Sequence, residues 1–313
     1  MRKNLSIVTL MIITLYTGYL AIGSVPASMP TYLNSPADDV VMKQDLLCLM
    51  MAYPEYVEGI EKDTTGKVYV IMKSGKRILY DDGKVKNTAE KEANPDLQDM
   101  MEQMYPLKPI KTLMEKDFNP GRIRVYPFLK EVYGSSMKQV QENLKTLKIG
   151  HKNYSFNSNN HAADALNSVM KELVPLAQSN NRIYANVFPV NGTFNYRVIA
   201  GTNRLSPHAF GIAIDLARDE RDYWKWASRE KGEARLKEYP YEIVEIFEKY
   251  GFIWGGKWGC FDILHFEYRP ELIYKARYFS KGKVEGEPWY AGVDTQDELV
   301  KKCIHLIEEA LKP

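Results

Sequence analysis

The sequence predicts an α+β fold, a mostly antiparallel sheet with flanking helices, joined to a small amino-terminal α+β module. Three observations predict it. In GIAIDL (211–216), Ile212, Ile214 and Leu216 alternate with Ala213 and Asp215, the period of a strand with one apolar face. In HAADALNSVMKELVPLA (161–177), Ala163, Leu166, Val169, Met170 and Leu173 fall at helical spacing. Asn191 and Gly192 sit between the strand-like runs RIYANVFPV and TFNYRVIA and suggest the positive-φ turn of a hairpin, which makes the sheet largely antiparallel.

In chain order, two positive charges in Met1–Asn4 precede an uncharged stretch, Leu5 to Gly23, rich in Ile, Leu, Thr and Tyr. Such a start reads as a secretory signal or an uncleaved membrane anchor. Val25 and Ala27 fit the small-residue pattern of a cleavage site, while the length of the stretch approaches a membrane span. Either reading puts the rest of the chain outside the cytoplasm, secreted or membrane-tethered. Residues 1–29 are set apart on this ground, followed by a small α+β module (36–130), the domain that carries the chemistry (135–280) and a carboxy-terminal loop and helix (281–313).

The module begins with a helix over Ala37–Met51. KVYVIMKSGKRILYDDG (67–83) then reads as two strands joined through Ser74 and Gly75, with Asp81 and Asp82 as turn residues. A further helix is expected within 94–110, ending near Pro106. No chemistry attaches to this module, and wall binding, partner binding, restraint of the site and plain packing are all open. Later, Pro240 opens and Gly251 closes the helix YEIVEIFEKY, FIWGG returns the chain toward the site, and a last amphipathic helix runs from Gln296 to Leu311 with His305 on its surface. Trp254 and Trp258 suit either a groove wall or the core.

Composition restricts the function classes. With 42 basic and 40 acidic residues the net charge is +2, which supplies no field for nucleic acid. Three cysteines, Cys48, Cys260 and Cys303, make an odd count, so the framework is not disulfide-driven. Cys260 lies near the proposed site but reads as a packed small side chain.

The chemistry lies in SPHAFGIAID (206–215) and DILHFE (262–267). On its strand Asp215 points away from the isoleucines, Ala213 leaves room beside it, and Gly211 lets the preceding turn bring His208 back. The seven-residue separation is too long for two ligands on adjacent helical turns, so a loop followed by a strand is the natural arrangement. In ILHFEYR, His265 shares a face with Ile263 and Glu267. His208, Asp215 and His265 then form a two-imidazole, one-carboxylate set with an open position, as a catalytic zinc requires. A facial iron triad is the nearest competitor. Asp262, in the loop before the strand, is placed to act as general base on a water.

These two stretches, with WGGKWGC (254–260) between them, resemble the zinc D,D-peptidases and L-alanyl-D-glutamate endopeptidases of bacterial cell walls, a group that includes phage endolysins and shares its fold with hedgehog. The resemblance covers roughly residues 150 to 275. It implies His208, Asp215 and His265 as zinc ligands, Asp262 as catalytic base, Ser206 as support for the ligand loop, and peptidoglycan peptides as substrate. Arg197 is the candidate for binding a substrate carboxylate, with Arg204 its rival. Lys257 replaces an acid of the endolysin-type pattern, Leu264 replaces a proline, and the loop from Trp258 to His265 is one residue shorter. These departures are expected beside the groove, where they bear on which bond is cleaved. A zinc-containing binding module without turnover is the alternative from another class.

Overall fold

The protein is described by a computed structural model covering residues 36–282 and 286–312. Helix α1 (Pro36–Ala52) buries Leu46, Leu47, Leu49 and Met50, and strands β1 (Val57–Lys62), β2 (Val68–Met72) and β3 (Arg77–Leu79) follow as an antiparallel sheet in that order. Capping boxes start both α2 (Thr88–Ala93), at Asn87 and Glu90, and α3 (Leu97–Met101), at Asp96 and Asp99. Helix α3 stops short of the expected Pro106. Proline disfavours helical backbone at Tyr105, and the Tyr105 hydroxyl is drawn inward to donate to Glu248 at 2.6 Å.

Next come α4 (Tyr126–Tyr133), α5 (Met137–Glu142) and the hairpin of β4 (Leu144–Ile149) with β5 (Lys152–Asn157). The expected long helix is α6 (Ala162–Ser179), whose buried face carries Ala163, Leu166, Val169, Met170 and Leu173. The strand expectation for RIYANVFPV fails, because Asn181–Val187 is a helix, α7. The Asn180 side chain accepts from the Arg182 and Ile183 amides, and Ile183 and Val187, one helical turn apart, are both buried. The neighbouring run 193–200 is also not a strand. Only Val198 forms a bridge there, with Leu205. Gly192 makes no positive-φ turn and instead bridges Asp215, donating and accepting backbone hydrogen bonds at 3.3 and 2.8 Å.

The sheet that carries the site contains β6 (Ala213–Asp215), β7 (Phe252–Trp254) and β8 (His265–Tyr268), antiparallel in the order β6-β8-β7. Between β6 and β7 lie α8 (Arg229–Glu238) and α9 (Tyr241–Lys249), and after β8 come α10 (Pro270–Phe279) and α11 (Glu298–Ala310). Every side chain of β8 is buried, and Phe266 stacks on Phe247 of α9 with ring centroids 3.9 Å apart. The described residues all fall within one compact unit, so the amino-terminal elements share its core. Helix α1 lies against α10 and α11, with Lys275 2.6 Å from Asp45 and the Tyr53 hydroxyl donating to Glu271 at 2.7 Å.

No helix among the described residues is long and apolar enough to cross a membrane, and the segment read as a signal or anchor, 1–29, lies outside the described residues. Cys48 and Cys303 are buried free thiols, and Cys260 is free and partly exposed.

Lys257 does not lie beside the groove, as its place in the WGGKWGC motif led us to expect. Its side chain is fully buried, with Nζ 2.5 Å from both the Glu248 carboxylate and the Pro106 carbonyl. Burial lowers the lysine's proton affinity, and Glu248 opposes that effect. A Glu248→Ala substitution leaves an uncompensated buried ammonium and is expected to reduce stability by about 3–5 kcal/mol in urea unfolding, whereas Glu248→Leu combined with Lys257→Met recovers most of the loss. Equal losses in the single and double variants would contradict the ion-pair assignment.

Candidate metal centre and catalytic site

The centre is assembled by strand register. Asp215 and His265 are directly opposed in the β6–β8 ladder, so their side chains leave the sheet on one face. His265 Nδ1 is 2.9 Å from Asp215 Oδ1. His208 arrives from the 3₁₀ turn Pro207–Phe210, where the Ser206 hydroxyl accepts from the His208 amide at 3.3 Å. Gly211 ends that turn at φ +69°, and a Cβ there would lie 2.9 Å from Leu144 Cδ2. The turn returns His208 to the strand, with Nε2 3.2 Å from the same Asp215 oxygen and the two imidazole centroids 5.1 Å apart.

Each imidazole is aimed by a partner behind it. His208 Nδ1 lies 2.6 Å from the Thr193 carbonyl, so that nitrogen donates and Nε2 keeps its lone pair for the centre. His265 directs Nε2 toward Glu267 at 3.8 Å and Nδ1 toward Asp215. Glu267 is completely buried and is held by Arg124 through two hydrogen bonds of 2.9 and 2.5 Å, with Arg269 Nη1 at 3.4 Å. Burial opposes ionisation of Glu267, but Arg124 outweighs it and keeps the carboxyl far below the usual range.

Two imidazoles and a carboxylate, with ligand atoms all within 4.8 Å of one another, fit a divalent metal. Zinc bonds of about 2.0–2.2 Å in tetrahedral geometry separate neighbouring ligand atoms by about 3.3 Å, close to the spacings found. The electrostatics agree. Although burial alone would raise the Asp215 carboxyl, the two histidines hold it well below its ordinary value. His265 shows the converse, since burial disfavours its cation yet hydrogen bonds to Asp215 and Glu267 push it up to about 10. Both effects favour positive charge between the three side chains, and a zinc ion would supply it.

A second acidic group, Asp81, Asp82 and Asp96, is different. Lys86 Nζ lies 3.1 Å from Asp82 and 2.8 Å from Asp96, which makes this a structural ion pair, and Asp81 and Asp82 accept backbone amides in the expected turn.

The centre opens into a cavity of about 400 Å³ that Asp262, Arg197 and Arg122 also line. Asp262 approaches because residue 255 is glycine. A Cβ there would meet the Asp262 carbonyl oxygen at 2.4 Å. Burial pushes the Asp262 carboxyl up to about 7, with His265 and Arg122 opposing and Asp215 reinforcing the effect. Trp258 stands 5.6 Å from His265 and lines the cavity, as does Leu264, whereas Trp254 is a core residue that donates to the Ile263 carbonyl.

The two candidate arginines differ in placement. Arg197 is exposed at the cavity on an irregular segment, while Arg204 is turned away into an ion pair with Glu92 at 2.6 Å. Arg122, Arg124, Thr193 and Glu267 were not singled out as functional from sequence. The only local sign was the doubled arginine of GRIRVYP (121–127), far from the metal motif.

Glu267→Gln is expected to weaken zinc binding by roughly 10–100-fold, read by competition with a chromogenic chelator. Unchanged affinity would remove Glu267 from the metal's support. Its depressed folded-state pKa also fixes a sign. The stability supplied by ionised Glu267 is present above the ordinary carboxylate range and is lost as pH falls toward the folded value, so the wild type is expected to lose more stability on acidification than Glu267→Gln does.

Residues 200–268 match the family model described as D-alanyl-D-alanine carboxypeptidase, a stretch that includes His208, Asp215, Asp262 and His265. No curated protein and no solved structure matches the chain significantly.

Proposed function

We propose that this chain is a zinc-dependent peptidase that removes the terminal residue from peptidoglycan stem peptides ending in D-alanyl-D-alanine, acting outside the cytoplasm. The observation that carries the reading is one cavity in which His208, Asp215 and His265 converge with Asp262, all within the stretch similar to the carboxypeptidase family. A bound zinc would polarise the scissile carbonyl and acidify the attacking water. His208 and His265 would hold it through Nε2 and Nδ1, and Asp215 through a carboxylate oxygen.

The remaining work belongs to the chain's own groups. Asp262 takes the proton of the attacking water on its carboxylate and delivers it to the leaving amine. Arg197, free at the cavity, binds the terminal carboxylate of the peptide. Ser206 fixes the turn that aims His208. A binding module without turnover would retain the metal ligands but would have no use for a half-buried carboxyl held beside them. Export or tethering by residues 5–23 agrees with a wall substrate.

Mass spectrometry of stem peptides incubated with the zinc-loaded full-length protein, beside Asp262→Asn, tests this reading. Loss of one D-alanine with the wild type supports it, an internal cut would make the protein an endopeptidase, and intact peptides despite bound zinc would favour the binding module. Asp262→Asn is expected to keep zinc and lose roughly 10²–10⁴-fold in turnover. The pH dependence has a definite sign. Asp262 works ionised, so kcat/KM rises with pH through its pKa, and a dication beside it draws that value below the figure of about 7 set by burial. A rate that falls as pH rises through this range would contradict its role as base.

A further inference from the structure

The cavity carries more positive charge than one terminal carboxylate requires. Arg122, Arg197, Arg218 and Lys225 all line it, and among the described residues none of them has a carboxylate within ion-pair distance. Arg218 and Lys225 are exposed rim residues set over the rings of Trp226 and Trp224 at 4.4 and 5.3 Å. Arg122 is half-buried and braced.

The bracing comes from the whole segment 118–124. Its backbone accepts from the Gly259 amide through Phe118, from the Trp258 indole through Pro120 and from Arg269 through Gly121, each at 2.7 Å. Asn119 accepts the Cys260 amide at 2.8 Å through its side chain, and Arg124 locks onto Glu267 while donating to the Arg122 carbonyl at 3.1 Å. The Arg122 guanidinium consequently lies 5.4 Å over the Trp258 ring, with only a long contact, 3.4 Å, to the Cys260 carbonyl. Most of its donors are left for something in the cavity.

Arg122 and Arg197 flank different ligands. The Arg197 carbonyl accepts from the Ser206 amide at 3.0 Å, which ties Arg197 to the turn of His208. Arg122 rests on Trp258, which packs beside His265. The two arginines thus line one cavity from different supports, Arg197 beside the turn of His208 and Arg122 on the indole beside His265.

Resting on the peptidase reading, we propose that Arg122 is a specificity residue for a second substrate carboxylate, so that the preferred peptide carries one carboxylate on each side of the scissile amide. The terminal carboxylate is one. The other is a free carboxylate on an acidic residue within the acyl part of the peptide, which Arg122 would distinguish from its neutral amide while Arg197 holds the terminal carboxylate.

The test uses two stem peptides ending in D-alanyl-D-alanine that differ only in whether the glutamyl residue bears a free carboxylate or a carboxamide. The zinc-loaded full-length protein is expected to favour the acid in kcat/KM by roughly 10–100-fold, the range of a charge-assisted hydrogen bond. Arg122→Ala should collapse the ratio toward one, and Arg122→Lys should keep part of it, with unfolding midpoints recorded for both. Binding of the same pair to zinc-loaded Asp262→Asn, with and without Arg122→Ala, is measured by calorimetry. Preferential binding of the acid that disappears with Arg122 supports the proposal even if neither peptide is cleaved, an outcome that would sink only the peptidase reading. Equal binding of acid and amide, or a preference that survives Arg122→Ala in a folded protein, would overturn the proposal.

Discussion

A single buried carboxylate, Glu267, stands at the junction on which the site depends. It is held by Arg124 and Arg269 on one side and faces His265 on the other. Charges in such a place cannot be left unpaired, since losing one partner of a buried ion pair costs about 3–5 kcal/mol. The arrangement therefore forces three parts of the chain together. Arg124 commits the segment before α4 to the metal strand, and Arg269, through Glu271 at 2.5 Å and the Tyr53 hydroxyl beyond it, extends the network to the end of α1. The same carboxylate selects which nitrogen of His265 faces Asp215.

This explains why the amino-terminal region is more than an appendage. Its helix shares a core with α10 and α11, and the segment 118–124, hydrogen-bonded to the loop Trp258–Cys260, sets Arg122 and Arg124 in the cavity wall. The family similarity begins only at residue 200, so Arg122 and Arg197, which line the same cavity, lie outside the matching stretch. The stretch 200–268 alone contains His208, Asp215, His265 and Asp262 but neither Arg122 nor Arg197.

How much was legible in the sequence depended on how local each cause was. Asp215 was readable because alternation in GIAID sets its face, and the register of β6 on β8 then carries His265 to it. Helix α6 was readable from a periodicity that its buried residues reproduce. The run at 182–190 misled because branched and aromatic residues flank an Asn-Gly pair, yet Ile183 and Val187 also satisfy a helix and Asn180 supplies its cap. Lys257 misled for another reason. Its position within a motif suggested the groove, whereas its partner Glu248 and the Pro106 carbonyl, which place it in the core, lie elsewhere in the chain. The support for His265 was out of reach in the same way, because Arg124 and Glu267 are 143 residues apart and nothing near either residue announces the other.

The central claim is a zinc ion held by two imidazoles and one carboxylate beside a free position. X-ray absorption at the zinc edge of the stoichiometrically loaded full-length protein tests it most directly. Two imidazole nitrogens and two oxygens, one from Asp215 and one from solvent, at about 2.0–2.2 Å are the expected result, with one imidazole contribution lost in His208→Ala. A sulfur shell at about 2.3 Å, or a zinc environment that His208→Ala leaves unchanged, would contradict the account.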